Sequence, residues 1–270
     1  MKKVTLVAGM LLASLCSGVS FADDALNSAI KSDFRQAKNV SRDTYRHPAE
    51  TLSFFGINPK QTVVELWPGN GWYTEILAPY LSAQGQYIAA SFETSPATDT
   101  PGNKYRANAG TKFETWMTAN AATFGKAKVI TLDPPNKLAL GDDGSADLVL
   151  TFRNLHNWAN SDQLENVFTA SYKVLKDGGV FGVVEHRANK GMNLSSGYME
   201  QDEIIALAQK VGFTLEATSE VNANPKDTKD YAKGVWTLPP SFAMGDTDKE
   251  KYQAIGESDR MTLKFVKKSR

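Results

Sequence analysis

The sequence predicts an α/β fold: a doubly wound, mostly parallel sheet of seven strands with an antiparallel C-terminal edge. Three observations lead to this prediction. Short apolar runs alternate with helical patterns along most of the chain, which is typical of parallel βαβ units. A turn with two glycines follows the first apolar run, as in many strand-to-helix connections. Only a long polar segment joins the last two runs, and strands without a crossover helix pair antiparallel.

The N-terminal segment 1–22 has the pattern of an export signal. Two lysines precede the apolar run 4–15, and Ser20 and Ala22 are the small residues that a signal peptidase reads. An uncleaved anchor is the weaker alternative, because the run is shorter than the ~20 residues of a spanning helix. We expect cleavage after Ala22 and a periplasmic protein that starts at Asp23.

Residues 23–270 are expected to form one domain, with a helical cap over about 24–58. Cys16 is the single cysteine and leaves with the signal, which excludes disulfides, a cysteine nucleophile and thiolate metal sites. No metal centre is expected. The 30 basic and 30 acidic residues balance, which argues against a nucleic-acid partner, and no later segment suits membrane insertion. The expected partner is a small molecule, and the oligomeric state is not indicated.

The N-terminal part predicts two helices, a strand and a further helix. Residues 24–39 are polar and weakly amphipathic, and Pro48 suits the first turn of a short capping helix. Residues 63–66 are apolar around one acid and predict a buried strand. From Gly71 onward, apolar residues recur at helical spacing, and Pro79 is expected to kink this helix.

The middle of the chain predicts two strands that flank a helix. Residues 86–92 follow a glycine and predict the second strand. Residues 93–110 are rich in Thr, Pro, Gly and Asn, which favours a loop, and residues 111–124 predict a helix. Residues 127–132 predict the third strand, which Asp133 and two prolines close.

The rest of the chain predicts four strands and two helices. Asn160 and Ser161 are expected to cap the first of these helices, which ends at the glycines of 177–179. The second helix covers 200–211. The predicted strands are 147–152, 180–184, 213–219 and 261–266.

A first candidate binding site is the turn Pro68-Gly69-Asn70-Gly71 between a strand and a helix. Its glycines permit positive φ, and the free N–H groups of the following helix suit a carboxylate or phosphate. Glu65 lies inside the preceding apolar strand, where an unpaired carboxylate is costly, so we expect it to meet hydrogen-bond donors. The alternative is a turn that only connects two elements.

A second group of polar residues follows the later strands. Asp133, Arg153, Asn154, His156 and His186 all lie just beyond the carboxyl end of a predicted strand. Ligands of open α/β sheets bind at that edge, so we expect these side chains to converge on one site. The alternative for each is a structural role, such as a hydrogen-bonded core histidine.

Three stretches resemble class I S-adenosylmethionine-dependent methyltransferases over about residues 60–220. Glu65-Leu-Trp-Pro-Gly-Asn-Gly is similar to their first motif. Their later motifs are similar to ITLDPPNKLALGDDGSADLVLTFRNLHNW and VFTASYKVLKDGGVFGVVEH. A closer resemblance, to a group of exported bacterial proteins predicted to be methyltransferases, rests on HPAETLSFFGI, WPGNGWYTEILAPYL, NANPKDTKD, GVWTLPP and IGESDRMTLKF.

The resemblance implies a role for several residues around the cofactor S-adenosylmethionine. Residues 68–71 would contact its methionine end, Glu65 would order that loop, Asp133 would face the adenine amine, and Asn154 is assigned to the same cofactor site. The acid that binds ribose in the family is replaced by Ser91, so Glu93 is the nearby substitute.

Trp67 is the other departure from the family, because it replaces the first glycine of the loop. Two interpretations are open for this residue at the cofactor cleft. Its indole either narrows the methionine pocket or packs beneath the loop as a core residue. We favour the core position, since large aromatic side chains near a sheet edge are usually buried.

The implied function is methyl transfer from S-adenosylmethionine to a small acceptor, for which an anionic compound is one candidate. His156 and His186 are candidate bases, and Arg153, with Arg187 and Arg260 as further candidates, would hold the anion. The alternative is that these arginines only pair with neighbouring carboxylates.

Two other functions stay open. One is a non-catalytic periplasmic binding protein on a degenerate methyltransferase fold, with Trp67, Trp72, Trp158 and Trp236 around an aromatic pocket. The other is a nicotinamide-dependent oxidoreductase. It is disfavoured because Thr74 replaces the third glycine of the dinucleotide-binding motif.

Overall fold

Seven strands form one sheet in this computed structural model, which describes residues 24–269. The strands are β1 (Thr62–Leu66), β2 (Gln86–Ser91), β3 (Lys128–Thr131), β4 (Ala146–Phe152), β5 (Leu175–His186), β6 (Phe213–Ser219) and β7 (Arg260–Lys267). Their order is β3-β2-β1-β4-β5-β7-β6. The first five are parallel, and β7 pairs antiparallel with both β5 and β6. This confirms the predicted sheet and its antiparallel edge. The predicted signal 1–22 and its cleavage site lie outside the described residues.

Helices cover both faces of the sheet. They are α1 (Asp24–Ile30), α2 (Ala37–Val40), α3 (Asp43–Arg46), α4 (Pro48–Phe55), α5 (Thr74–Leu81), α6 (Pro101–Ala119), α7 (Ala121–Phe124), α8 (Leu155–Ala159), α9 (Leu164–Val174), α10 (Gln201–Val211) and α11 (Lys249–Ile255). Alternate strand residues enter two buried clusters: Val64 packs with Phe168 of α9, whereas Val63 packs with Leu77 of α5. The sheet is therefore doubly wound, with a core on each face.

Two predictions in the N-terminal half were wrong. Residues 93–110 are not all loop, because α6 begins at Pro101: the Thr100 side chain accepts a hydrogen bond from the Asn103 N–H, and Pro101 suits the first turn. The expected helix over 24–39 is two short helices, α1 and α2, with a break between them. Pro48 begins α4 as predicted.

Three predictions in the C-terminal half also need correction. Asn160 does not cap α9, which has Gln163 at its N-cap; Asn160 instead ends the short helix α8. Gly178 does not end the helix, because β5 already begins at Leu175 and the positive φ of Gly178, 78°, lies within this irregular strand. The segment between β6 and β7 contains α11, although its polar sequence gave no clear helical pattern.

Within residues 24–269, no helix has both the length and the apolar character that crossing a bilayer requires. The cap formed by α1–α4 packs against α5, β5 and β7. This contact brings the cap to the edge where the parallel strands end, next to the residues predicted to form a site.

Candidate functional site

The glycine loop, Pro68–Gly71, joins β1 to α5 and has the backbone that its sequence requires. Gly69 and Gly71 have φ values of 58° and 77°. A Cβ on Gly71 would lie 2.8 Å from the Trp116 ring, whereas a Cβ on Gly69 would meet nothing within 4 Å. Gly71 therefore allows α6 to pack on the loop, and the open side of the loop is at Gly69. A cavity of about 470 Å³ lies along Pro68, Gly69 and Asn70.

Asn154, which we assigned to the cofactor, braces the glycine loop from the end of β4. Its Nδ2 donates to the carbonyl oxygens of Leu66 at 2.9 Å and Trp67 at 3.2 Å. The amide group is buried and already bonded to the chain. Its position thus supports a structural role in holding the loop.

Glu65 meets donors, as expected, but they do not belong to the loop. Its Oε2 accepts hydrogen bonds from the Tyr87 hydroxyl at 2.6 Å and the Thr74 hydroxyl at 3.2 Å. Burial raises the pKa of Glu65 to about 7, and the two hydroxyl groups only partly offset that effect. Glu65 therefore ties β1 to β2 and to the first residue of α5.

The Trp67 side chain lies across the carboxyl ends of three strands. Its backbone is in the left-handed region, with a φ of 45°. Its Nε1 donates to the carbonyl oxygen of Leu132 at 2.9 Å. Its ring lies 4.9 Å from the rings of Phe92 and Trp158, measured between centroids. The half-buried indole packs as a core residue would, yet it lies in the cleft and contributes to three cavities there.

Glu93 and Asp133, the predicted nucleoside ligands, face the same small space beside Trp67. This space has a volume of about 10 Å³, roughly that of one water molecule. Glu93 forms a hydrogen-bonded ion pair with Lys137, which lowers the pKa of Glu93, and Asp133 accepts from Asn136 Nδ2 at 3.2 Å. The two acids are brought together, but protein atoms fill the space between them.

Another cavity, of about 440 Å³, opens over the ends of β4 and β5 and is called the arginine cleft below. Its wall includes five arginines but one carboxylate: Arg42, Arg46, Arg106, Arg153, Arg260 and Glu257. Glu257 accepts from Arg42 Nε at 2.6 Å, Arg46 Nε at 3.1 Å and Arg260 Nη2 at 2.6 Å. Burial alone would raise the pKa of Glu257, but the surrounding arginines hold it at about 2. Three guanidinium groups thus share one buried negative charge.

Arg153 lies in the same cleft, and the charge of Glu257 acts on it without a direct ion pair between the two side chains. Its Nη1 is shielded from solvent and has no hydrogen-bond partner, and within residues 24–269 no carboxylate forms an ion pair with it. Burial and the charge of Arg260 lower its pKa to about 10. Its backbone has a positive φ of 62°, held by a 2.7 Å hydrogen bond from its N–H to Val184 O. The chain therefore maintains a half-buried arginine that has no carboxylate partner among residues 24–269.

The two predicted histidine bases lie side by side on the cleft wall. The rings of His156 and His186 are 5.5 Å apart, between centroids. His156 Nδ1 lies 3.1 Å from Glu185 Oε1, and His186 Nδ1 lies 2.5 Å from Ser258 Oγ. Burial, His156 and the nearby arginines lower the pKa of His186 well below its usual value. His186 is therefore neutral near pH 7.

His156, Glu185 and His186 also bring ligand atoms within 4.8 Å of one another, a spacing that a metal ion could use. The expectation of no metal centre stays a prediction.

Arg187, in contrast, does not join the cleft. It forms ion pairs with Glu220 at 2.7 Å and Asp259 at 2.9 Å, which is the structural alternative considered for it.

Sequence reasoning missed Arg42, Arg46 and Glu257 as site residues. Arg42 and Arg46 belong to the cap, far from the sheet motifs in sequence, and their partner Glu257 comes from the segment before β7. The available signal was the spacing of two arginines four residues apart beside an aromatic residue, Tyr45. That pattern alone is also typical of an exposed helix face.

Comparisons with known structures reveal the same architecture. An S-adenosylmethionine-dependent methyltransferase from Aquifex aeolicus aligns with a TM-score of 0.55 at 12% identity, covering 84% of this chain and 93% of its own. The chain has the class I methyltransferase fold. The [4+2]-cyclase SpnF shares this fold with a TM-score of 0.57 at 14% identity, covering 89% of this chain and 86% of its own.

A third structure, a proposed sarcosine dimethylglycine methyltransferase from Galdieria sulphuraria, aligns with a TM-score of 0.52 at 16% identity, over 86% of this chain and 88% of its own. No family model and no curated protein matches the sequence. At these identities the methyltransferase fold alone is shared, and the cyclase illustrates that the fold hosts more than one chemistry.

S-adenosylmethionine fits this methyltransferase fold only in part. The cavity along the glycine loop has room for the methionine end. The space between Glu93 and Asp133 is about 10 Å³, which is too small for a nucleoside, and the Trp67, Phe92 and Arg106 side chains are among those that surround it. Ser91, at the end of β2, is buried and carries no charge for a ribose. With Trp67 in this position, the cofactor does not fit where the resemblance places it.

Proposed function

We propose that this protein binds a small oxyanionic compound in the arginine cleft, on a methyltransferase fold whose nucleoside site is filled by Trp67. The observation that carries the proposal is the buried Nη1 of Arg153, which has no partner within residues 24–269. An unpaired buried cation is costly, whereas a guanidinium group binds carboxylates and phosphates through two parallel hydrogen bonds. The rest of the half-buried Arg153 side chain lines the cleft, so an oxyanion bound there would lie beside this positive charge.

The charge balance of the cleft supports the same conclusion. Arg42, Arg46 and Arg260 surround Glu257, so one carboxylate faces three cations before Arg153 is counted. Burial, followed by the charge of Arg153, lowers the pKa of Arg46 well below its usual value. A ligand with more than one negative charge would offset this repulsion, which favours a phosphate or a polycarboxylate over a simple monoanion.

The shape of the cleft limits the ligand to a small molecule. A volume of about 440 Å³ is at the lower end of the range for small-molecule pockets. Tyr105 and Trp236 line the cleft with exposed rings, 72% and 38% accessible, on which an apolar part of the ligand would pack. The ligand class is therefore a compact anion that also carries an apolar or planar group.

Methyl transfer from S-adenosylmethionine to such an anion is the second candidate. The shared fold and the open cavity beside Gly69 favour it. The filled space between Glu93 and Asp133 disfavours it, because Trp67 would have to leave before a nucleoside could enter. In this candidate the arginine cleft holds the acceptor.

Calorimetric titration of the mature protein tests both candidates. Inorganic phosphate, citrate, S-adenosylmethionine and S-adenosylhomocysteine serve as separate probes, at constant ionic strength. We expect phosphate or citrate to bind, and Arg153→Met to weaken that binding by about tenfold or more, as for loss of a charge-assisted hydrogen bond. Lys210→Met is the control, because Lys210 is exposed, pairs with Glu165 of α9 and does not line the arginine cleft.

Three outcomes separate the candidates. Binding of phosphate or citrate that is lost in Arg153→Met and kept in Lys210→Met supports the proposal. Equal affinity in both variants would place the anion elsewhere and overturn it. Tight binding of S-adenosylhomocysteine by the unmodified protein would make methyl transfer the better function.

A further inference from the structure

Glu185 is held in one position by the backbone at the end of β5. Its side chain is fully buried. Oε2 accepts from the Leu155 N–H at 2.6 Å, and Oε1 accepts from the His186 N–H at 2.8 Å. Two backbone donors therefore fix both oxygens, and the remaining direction of Oε1 faces His156 Nδ1 at 3.1 Å.

This contact determines which nitrogen of His156 carries the proton. A carboxylate oxygen only accepts, so Nδ1 is the protonated nitrogen of the neutral ring. Nε2 then has a free electron pair, and the Asn157 side-chain amide lies 3.2 Å from it and donates to it. His156 lines the arginine cleft, and Asn157 is exposed, so a ligand can replace the Asn157 amide at Nε2 without disturbing the core.

We infer that His156 is a general base of the arginine cleft, that Glu185 is its positioning residue, and that the bound oxyanion carries a proton-bearing hydroxyl or amine group. The oxyanion part of this inference rests on the proposed function. The proton moves from the ligand O–H or N–H to His156 Nε2, and the electron pair of that bond stays on the ligand. Glu185 stabilises the imidazolium that forms, and Arg153 stabilises the added negative charge on the ligand.

This proton transfer needs only the bound ligand and the residues of the cleft. It requires no oxidant and no second substrate, so it is available to a protein whose nucleoside site is filled. A methyl donor, if one binds, would receive the same activated nucleophile. His156 and Glu185, the dyad, can therefore act without the cofactor that the fold implies.

A metal ion is the competing use for these side chains, because His156, Glu185 and His186 lie close enough to share one. Two observations oppose it. The oxygens of Glu185 already meet two backbone N–H groups and His156, and the nitrogen of His156 nearest to Glu185 is the one that donates to it. Arg46, Arg153 and Arg260 also act on His186, so the surrounding charge repels a cation.

The sharpest test is the state of the imidazole rings, read by ¹⁵N NMR on the mature protein. The chain has three histidines, so His156→Gln assigns the signal. We expect His156 with a protonated Nδ1 and an unprotonated Nε2. Diethyl pyrocarbonate should then modify His156, inorganic phosphate should protect it, and Asn157→Ala should speed the reaction because the amide no longer covers Nε2.

Glu185→Gln separates positioning from simple packing. We expect it to abolish the preference for one tautomer and to slow modification of His156 by about twofold or more, because Nδ1–H loses its carboxylate acceptor. Asn157→Ala, at an exposed position, keeps the test valid if Glu185→Gln does not fold. A protonated Nε2 in the unmodified protein, or an unchanged rate in both variants, would overturn the inference.

Two further outcomes have distinct meanings. Failure of phosphate to bind or protect, with the expected tautomer present, would count against the proposed anion site and leave the dyad in place. Micromolar binding of Zn²⁺ alone that shifts both His156 and His186 and is lost in Glu185→Gln would replace the dyad with a metal centre.

Discussion

The indole Nε1 of Trp67 donates a hydrogen bond to the carbonyl oxygen of Leu132, at 2.9 Å, and so links the end of β1 to the end of β3. The strand between them, β2, contributes Phe92 just beyond its end, and the Phe92 ring packs on the same indole. In the methyltransferase fold this edge is where the predicted nucleoside ligands lie. Under the proposed function, the Trp67 side chain therefore fills the space that a nucleoside would otherwise use.

Trp67→Gly is expected to open that space. The change removes the indole and suits the φ of 45°, so the loss of stability should be roughly 2–3 kcal/mol, below that of a fully buried tryptophan. We expect calorimetry to detect S-adenosylhomocysteine binding only in this variant. Trp67→Phe is the control, because it keeps an aromatic ring in place while it removes the N–H donor and part of the ring volume. Equal cofactor affinity in unmodified protein and Trp67→Gly would contradict the blocking role.

Gly71→Ala tests whether the glycine loop is shaped by its ligand or by the protein. An added Cβ would lie 2.8 Å from Trp116, so we expect a loss of roughly 1–3 kcal/mol beyond the backbone strain. Gly144→Ala is the matched control, since Gly144 has a φ of 68° and open space around it. Chemical denaturation of both variants gives the difference. Equal losses of stability in the two variants would mean that the Trp116 ring moves aside without a cost in free energy.

The strands and the site edge could be predicted from the sequence, because the signals are local. Phe213–Ser219 was predicted to the residue, and the polar residues after β4 and β5 converge as expected. Capping by Thr100 and Pro101 was also a local signal, but the Thr- and Pro-rich composition around it favoured a loop. Local patterns thus give elements more securely than their boundaries.

The charge of the cleft could not be predicted in the same way. Arg46 and Glu257 are adjacent only because the cap packs on β5 and β7, and no periodicity encodes that contact. The role of Glu185 was hidden for the same reason, since Leu155, which is one of its two donors, and His156 come from the segment after β4. Trp67 was predicted to lie at the cleft, but only packing against Phe92 and Trp158 indicates which part it fills.

Export predicts a defined N-terminus. We expect the protein recovered from a periplasmic fraction to begin at Asp23, because Ser20 and Ala22 fit a signal peptidase. Intact mass and N-terminal sequencing measure this directly. An intact chain from Met1 in the cytoplasmic fraction would contradict export.

Glu65→Gln is expected to change how stability depends on pH. The folded pKa of about 7 exceeds the ordinary value of 4.5, so this group favours folding below pH 4.5, and the contribution is lost as the pH rises through 7. A tenfold change in proton affinity corresponds to about 1.4 kcal/mol. The difference in unfolding free energy between the unmodified protein and Glu65→Gln should therefore change by roughly 3 kcal/mol over this pH range. Urea denaturation from pH 4.5 to 8 measures it; parallel profiles would contradict the buried acid.

Glu257→Gln tests whether the arginine cleft requires a negative charge. The folded pKa of about 2 lies below the ordinary 4.5, so ionised Glu257 stabilises the protein above pH 4.5, and this contribution is lost as the pH falls through 2. At pH 7 the variant should lose roughly 3 kcal/mol of stability, since Arg42, Arg46 and Arg260 keep no carboxylate partner among residues 24–269.

An external anion should then compensate for the missing carboxylate. We expect phosphate, against sodium chloride of equal ionic strength, to raise the melting temperature of Glu257→Gln more than that of the unmodified protein, because binding to the folded state stabilises it. Glu165→Gln, on the exposed face of α9, is the control for the loss of one surface charge. Equal increases in melting temperature with phosphate in all three proteins would mean that the arginines are satisfied without a ligand. That result would count against an anion site in the cleft.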